Sequence, residues 1–268
     1  MRITDAQVHI WDRVAIPEAV HRVPALGANE LRELMNGAGV NRAILVPPSW
    51  ANDGNEVALS AASNWPDQFA VMGILDLKNS GGAQPVHSWM AQKGMLGARV
   101  ALFTKQHRAS VVDGSLDWLW GGAEEASVPL MIYPPRLLSE IRKIVVRHKK
   151  LKIIIDHCGA PARGGLEDLH AAVDELGKLS DCENVAVKIS NLPIYSESNY
   201  PFSDVQAVML TVLKAFGSDR VFWGSDFTRT ICSYRESVTM MTEDFEGLDV
   251  DALRTVMGEG ICTWLRWN

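Results

Sequence analysis

Eight short apolar runs spread along the chain constrain its fold more than any other feature of the sequence. Most of them are nearly continuous in Val, Ile and Leu, and a turn or a Gly/Pro segment follows. Runs of this kind are typical of parallel strands that are buried on both faces. The eight runs are RITDAQVHIW (2–11), RAILVPPSW (42–50), FAVMGILDL (69–77), LGARVALF (96–103), PLMIYPP (129–135), LKIIIDHCG (151–159), NVAVKISNL (184–192) and RVFWGSD (220–226).

Helical patterns lie between these runs and complete the prediction of the fold. Strict alternation of strands and helices predicts a parallel sheet. About eight such units in 268 residues favour a single (β/α)8 TIM barrel, regular or distorted, over an open sheet. We therefore expect residues 1–268 to form one domain. The helical stretches are 27–39, 56–66, 136–150, 164–180, 204–218 and 249–267, and residues 78–85 read as a rim loop that could serve as a lid.

Charge and cysteine content limit the partners of the chain. The formal net charge is -6, and nucleic-acid binding needs basic surface, so we expect a small-molecule substrate and no nucleic acid. No apolar run reaches the length of a membrane span, so we expect no membrane partner. Four scattered cysteines and an N-terminus that enters a predicted strand at once favour a cytoplasmic protein with free thiols. A homo-oligomer is compatible with this charge and this cysteine content.

Polar residues stand at the predicted carboxyl ends of the strands, where TIM barrels carry their active sites. Gln7 and His9 are two positions apart and would share one face of the first strand. Each such residue alone has a structural explanation, such as a helix cap or a buried hydrogen bond. Two histidines and an aspartate at one rim are harder to explain in that way. The strand-end residues are Gln7, His9, Ser49, Trp50, Arg99, Tyr133, His157, Lys188 and Asp226.

Motifs along nearly the whole chain resemble one known family. DAQVHIWD (5–12) is similar to the family opening, which is usually Asp-x-His-x-His followed by an aromatic residue and Asp. GARVAL (97–102), IIDHCGAP (154–161), VKIS (187–190) and RVFWGSDF (220–227) match further strands in the family's order. On these motifs the chain is identified as a member of the amidohydrolase superfamily, amidohydrolase-2 branch. It most resembles the lactonase-like group, which includes dicarboxylate lactonases and sugar lactonases.

One departure from the family pattern bears on cofactors. Gln7 stands where metal-dependent members carry the first histidine, and an amide is a poor ligand for zinc. The resemblance also includes lactonases that work without metal. We therefore expect no cofactor here. The alternative is one divalent cation, such as zinc, held by His9, His157 and Asp226.

The resemblance implies a hydrolase that opens a small lactone, carboxylated or polyhydroxylated. Asp226 would activate water, while His157 and His9 would stabilise the carbonyl oxygen. Arg99 is a candidate carboxylate anchor because its planar guanidinium binds carboxylates in a bidentate manner. The remaining candidates for substrate binding are Gln7, Tyr133, Lys188, Ser49 and Trp50.

Two other interpretations stay open from the sequence. A metal-dependent amidohydrolase or decarboxylase could use the same barrel, and in that case activity would require the cation. A non-catalytic binder that lost its function through Gln7 would retain ligand binding after substitution of Asp226.

Overall fold

The predicted strands form one parallel sheet whose order follows the chain. The computed structural model describes residues 1–11, 25–50, 54–77 and 84–268. Within these ranges each apolar run contains a strand, and every neighbouring pair is parallel. The strands are β1 (Thr4–Val8), β2 (Arg42–Leu45), β3 (Phe69–Ile74), β4 (Met95–Ala101), β5 (Leu130–Tyr133), β6 (Ile153–Ile155), β7 (Val185–Lys188) and β8 (Val221–Phe222).

Backbone hydrogen bonds between the first and last strands bring the sheet close to full closure. The Ala6 amide donates to the Trp223 carbonyl at 3.2 Å, and the Asp226 amide donates to the Gln7 carbonyl at 2.9 Å. Gly224 permits this approach, since a Cβ there would lie 3.0 Å from the Gln7 backbone nitrogen. The nearly closed eight-stranded sheet with alternating helices confirms the predicted (β/α)8 barrel.

The helices include all six predicted stretches and several that the sequence patterns did not indicate. The last predicted stretch is divided around Gly258, whose backbone is non-helical. The added helices are α3, α4, α5 and α9. The helices are α1 (Ala28–Ala38), α2 (Glu56–Asn64), α3 (Gln84–His87), α4 (Lys105–Val112), α5 (Asp117–Glu125), α6 (Leu138–Arg147), α7 (Leu166–Gly177), α8 (Ser203–Phe216), α9 (Tyr234–Thr242), α10 (Val250–Arg254) and α11 (Gly260–Leu265).

Two apolar layers hold the barrel together. The larger layer lies between the sheet and the helices, and the smaller one includes Ile44, Met131 and Phe222 from the strands together with Leu265 and Trp267 from the chain's last segment. Such a double layer is expected of a barrel whose interior is filled by side chains. The polar candidates at the carboxyl ends of the strands are the exception to this apolar filling.

No helix within the four described ranges combines the length and the apolarity that a membrane span requires. Most of the predicted rim loop, residues 78–83, lies outside the described residues.

Candidate active site

Two imidazoles and one carboxylate meet at the carboxyl ends of the strands. His9 follows β1, His157 follows β6 and Asp226 follows β8. His9 Nε2 lies 3.1 Å from Asp226 Oδ1, and His157 Nε2 lies 3.9 Å from Asp226 Oδ2. All three residues are at most 4% exposed. The structure therefore brings together the three predicted residues in a place that is shielded from bulk solvent.

The His9 ring is fixed by contacts at both of its nitrogens. Nδ1 lies 2.6 Å from the Val46 carbonyl oxygen, and since a carbonyl only accepts, Nδ1 carries a proton. Nε2 lies 3.2 Å from Gln7 Nε2 on the same edge that faces Asp226. The predicted sharing of one face by Gln7 and His9 is thus confirmed, and His9 presents Nε2 to the site.

The His157 ring is held in a similar manner from a strained backbone. Its φ is 51°, a left-handed conformation that is uncommon for residues other than glycine and often marks functional sites. Nδ1 contacts the Ser190 hydroxyl at 2.8 Å and the Ser190 carbonyl at 3.2 Å, whereas Nε2 has no hydrogen-bond partner. Burial lowers the pKa of His157 to about 4, against the opposing charge of Asp226. At neutral pH the ring is therefore uncharged, and its Nε2 is turned to the site.

Asp226 is oriented by neighbours at both of its oxygens. The Asn191 amide donates to Oδ2 at 2.9 Å, and Arg229 Nη1 lies 3.8 Å from the same oxygen. Burial would raise the pKa of Asp226, but the contact with His9 and the charge of Arg229 lower the pKa far below its ordinary range. Asp226 is therefore a carboxylate at neutral pH, and its Oδ1 lies against His9 Nε2.

Behind these residues a buried chain of polar contacts crosses the barrel interior. Arg99 Nε donates to Asp156 Oδ2 at 3.1 Å, and Lys188 Nζ lies 2.8 Å from Asp156 Oδ1. Lys188 also donates to Gln7 Oε1. Burial lowers the pKa of Lys188, partly offset by Asp156, while Lys188 and Arg99 outweigh burial and lower the pKa of Asp156. Lys188 is 0% exposed, so it lies beneath the site and supports it from there.

A second carboxylate, Asp5, links the first strand to the segment that follows the last strand. It accepts hydrogen bonds from the Gln7 amide at 2.9 Å, from the Ser225 amide at 2.8 Å and from the Tyr234 hydroxyl at 2.9 Å. Burial raises the pKa of Asp5 to about 6 despite these bonds. The residue immediately before Asp226 is therefore tied to β1 and to α9, which sets the position of the catalytic candidate.

An arginine-lined cavity of about 660 Å³ opens beside the cluster. It reaches the buried residues through Arg229, near Asp226, and through Tyr133, whose ring packs edge-on against His157 at 5.6 Å between centroids. The Tyr133 hydroxyl donates to the Ala160 carbonyl at 3.0 Å. Among the lining residues are Ser49, Trp50, Arg99, Tyr133, Arg108, Arg136, Arg163 and Arg229, and the described part of the lining includes no Asp, Glu or Lys.

The predicted substrate-binding residues divide into two groups. Ser49, Trp50, Arg99 and Tyr133 line the cavity, whereas Gln7 and Lys188 lie among the buried supporting contacts.

Sequence reasoning did not single out Asn191, Arg108 or Arg136. Asn191 follows the lysine-bearing strand directly and adopts a left-handed φ of 57°, which Asn tolerates better than most residues. Its position directly after that strand could have indicated a site residue from the sequence alone. Arg108 lies on α4 and Arg136 follows β5, and the sequence carries no pattern that indicates their approach to the cavity.

The donor set does not suit a metal ion of the kind that the family resemblance raises. The Gln7 amide nitrogen faces His9 Nε2, the lone pair that a cation would need, and Lys188 holds the Gln7 oxygen. Across the described ranges, no group of three His, Cys, Asp or Glu residues has metal-binding geometry.

A family model described as Amidohydrolase matches residues 4–254 of the chain. Among curated proteins, L-fucono-1,5-lactonase of Burkholderia ambifaria is 26% identical over 242 residues, which cover 83% of this chain and 79% of that protein.

Solved structures share the fold along the whole chain. An amidohydrolase from Burkholderia multivorans, crystallised with HEPES and in another crystal form with zinc, has a TM-score of 0.81 at 21% identity and covers 99% of both chains. A probable 2-pyrone-4,6-dicarboxylic acid hydrolase from Acinetobacter baumannii, with citric acid bound, has a TM-score of 0.77 at 16% identity and covers 100% of both chains. At these identities the structures support the fold.

Proposed function

The chain belongs to the amidohydrolase family, and on that premise we propose that it is a hydrolase that opens a small carboxylated lactone. One observation carries the proposal: the His9, His157 and Asp226 cluster adjoins a cavity lined with arginines. The lactonase relative supports hydrolysis of a cyclic ester as the class of reaction.

The arginines favour a carboxylated substrate over an uncharged one. Five of them line the cavity, and the described lining residues include no carboxylate. Arg99 pairs with Asp156 and Arg229 lies near Asp226, while Arg108, Arg136 and Arg163 form no ion pair with the described residues. Arg99 contacts Asp156 through Nε, and its terminal nitrogens make no hydrogen bond with the described residues. A guanidinium presented in this way suits a carboxylate. A polyhydroxylated lactone, which the relative's name suggests, is the second candidate, and the Ser49 and Tyr133 hydroxyls at the cavity could bind it.

In this proposal Asp226 takes the proton from the attacking water. It is ionised at neutral pH and lies close to Arg229 of the cavity lining, so it can act as a general base. The resulting carboxylic acid then returns the proton to the alkoxide that leaves when the ring opens. The low pKa makes Asp226 a weak base in the resting state, and binding of an anionic substrate close to Arg229 would raise its basicity.

His9 and His157 stabilise the carbonyl oxygen in this scheme. Both rings direct Nε2 to the site. His157 can donate from Nε2 when the Ser190 hydroxyl donates to its Nδ1, whereas His9, whose Nδ1 donates to the Val46 carbonyl, needs a second proton to donate from Nε2. The negative charge that develops on the carbonyl oxygen favours such a proton. Arg229, close to Asp226, offers guanidinium protons at the same place without any proton transfer.

We propose that this hydrolysis needs no metal, because Gln7 stands in place of a histidine ligand, its amide nitrogen lies 3.2 Å from His9 Nε2 and Lys188 donates to its oxygen. A panel of lactones with zero, one or two carboxylates, assayed with and without a chelator and beside metal analysis of the protein, tests the proposal. We expect the highest kcat/KM for a carboxylated lactone and most of the activity after chelation. Activity that vanishes on chelation and returns with zinc or manganese would contradict the metal-free scheme. Release of carbon dioxide from an aromatic acid would show that the chain is a decarboxylase and would contradict the proposed hydrolysis.

A further inference from the structure

A second cavity opens at the opposite end of the barrel from the candidate active site. Its described lining includes Met95 at the start of β4, Pro129 just before β5 and Lys152 just before β6. Because all neighbouring strands are parallel, these residues share the amino-terminal end of the sheet, whereas the candidate active site lies at the carboxyl ends. We propose that this cavity binds a small carboxylate with an apolar body, at a site that lactone hydrolysis does not use.

The size and lining of the cavity suit an organic ligand. Its volume is about 350 Å³, within the range of roughly 300–1,000 Å³ that is usual for ligand pockets. Met90 is 40% exposed, so the apolar lining reaches the surface, where a ligand can enter. The apolar lining residues are Met90, Met95, Leu96, Ala123, Val128, Pro129, Trp264 and Leu265.

Three cations also line the cavity, and its described lining includes no carboxylate. Lys150 has a carboxylate nearby, because its backbone amide donates to Glu124 Oε1 at 2.9 Å. The other oxygen of Glu124 lies 2.8 Å from His148 Nδ1. Lys152 and Arg266 form no ion pair with any described residue. Two cations at the cavity are therefore left without a counter-charge.

The Lys152 ammonium is held at the cavity by Trp264. Its Nζ lies 4.9 Å from the centroid of the ring and donates to the Trp264 carbonyl at 3.1 Å. An ammonium has three hydrogens to donate, and this carbonyl is its one acceptor among the described residues. Burial lowers the pKa of Lys152, and the positive charge of Arg266 lowers it further. An anion bound beside the two cations would offset this repulsion.

The combination of charge and apolar surface selects among anions. Ammonium and guanidinium groups bind a carboxylate through charge-assisted hydrogen bonds. An inorganic ion would leave the apolar lining in contact with water, whereas an apolar body attached to the carboxylate would bury it. A hydroxylated acid would leave hydroxyls without partners, because Ser127 carries the one side-chain hydroxyl of the described lining. The geometry therefore favours an aliphatic or aromatic acid over the acid that hydrolysis of a sugar lactone releases.

Methionine methyl signals can locate the binding. Met90 and Met95 line this cavity, whereas the described lining of the arginine-lined cavity contains no methionine. In protein with 13C-labelled methionine methyl groups, the two signals are assigned by Met90→Leu and Met95→Leu. We expect phenylbutyrate to shift both signals with a single Kd below about 1 mM. Phenylbutyramide, which has the same body without the charge, and inorganic phosphate, which has the charge without the body, should each bind at least about tenfold more weakly.

Substitution of the two unpaired cations tests their part in binding. Lys152→Gln, which keeps a donor for the Trp264 carbonyl, and Arg266→Gln should each raise the Kd of phenylbutyrate about tenfold or more. Lys149→Gln is the matched control, since it removes an exposed cation that does not line the cavity, and its Kd should equal that of the wild type. Arg266 is exposed, so Arg266→Gln provides the test even if Lys152→Gln fails to fold.

Several results would overturn the proposal. These are methyl signals that phenylbutyrate leaves unshifted, equal Kd values for phenylbutyrate and phenylbutyramide, and an unchanged Kd in Arg266→Gln. Methyl signals that shift with protein concentration instead of phenylbutyrate would show that a second copy of the chain covers this face, which also contradicts it. No lactone enters the titration, so its outcome is independent of whether the chain hydrolyses one.

Discussion

At the scale of single residues, the site depends on side chains whose backbones depart from regular structure. His157, Asn191 and Asp226 have φ values of 51°, 57° and 48°. Such conformations cost energy and persist where the surrounding structure enforces them, often at functional sites. The sequence predicted His9, His157 and Asp226 because chemistry-bearing residues at strand ends are recognisable. It did not reveal how Asn191 and Ser190 orient them, since this depends on the strained turns.

Asn191 provides a direct test of this orientation. Asn191→Ala removes the donor at 2.9 Å from Asp226 Oδ2, so the carboxylate loses a fixed direction. We expect kcat to fall about tenfold or more, by analogy with other supporting contacts in active sites. Steady-state kinetics measure the loss, and Asn36→Ala on the exposed face of α1 is the control. Equal kcat values for the two variants would remove Asn191 from the site.

The lowered pKa of His157 predicts an acid-dependent loss of stability. The pKa is about 4 in the folded protein and about 6.5 in the unfolded chain, so the unfolded chain binds more protons between these values. His157 therefore costs nothing above pH 6.5 and up to about 3 kcal/mol as the pH falls to 4. Denaturant unfolding at pH 7 and pH 4.5 should show that His157→Gln loses less stability on acidification than the wild type. The raised pKa of Asp5 acts in the opposite direction, but it is common to both proteins and cancels in the comparison. An equal loss in both proteins would mean that His157 is not buried as a neutral ring.

At the scale of elements, apolar periodicity predicted the strands well and the shorter helices poorly. All eight runs contain strands, although these are shorter than the runs; β2, for example, ends before Pro47 and Pro48, which cannot donate to a ladder. Helices α4 and α5 were missed because a weak apolar stripe and a Gly-Gly pair hide their pattern. Helix α9 had a readable signal in the capping box of Ser233 and Glu236.

That capping box leads to a stability prediction. The Ser233 hydroxyl accepts from the Glu236 amide at 3.1 Å, so Ser233→Ala leaves a helix-terminal amide without its partner. We expect the free energy of unfolding to fall by about 1 kcal/mol. Thermal or denaturant unfolding measures it, with Ser139→Ala on the exposed face of α6 as the control, expected within about 0.5 kcal/mol of wild type. If both variants unfold like the wild type, the box does not stabilise α9.

At the scale of the whole molecule, a cationic cavity opens in a chain with a net charge of -6. The barrel allows this contrast because segments that follow different strands bring arginines to one rim. Such a local field can draw an anionic substrate toward the cavity, and dissolved salt weakens this attraction by screening it. The fold was predictable from repeated strand–helix units, whereas the charge of the cavity was not, because it depends on the loops.

Ionic strength should reveal this field. With a carboxylated lactone, kcat/KM should fall as salt rises, and Arg163→Gln at the exposed rim should make the fall shallower while kcat stays the same. Lys214→Gln, which removes an exposed cation from α8, is the matched control. A salt dependence that is identical in Arg163→Gln and in the wild type would argue against steering by the rim.

The central claim is that a buried carboxylate beside two imidazoles activates water for ester hydrolysis. The most direct test is kcat of Asp226→Asn on the best lactone, measured beside the exposed control Asp219→Asn. The account predicts a loss of about 10³-fold or more for Asp226→Asn in a folded protein and no loss for the control. Near wild-type kcat in Asp226→Asn would contradict it.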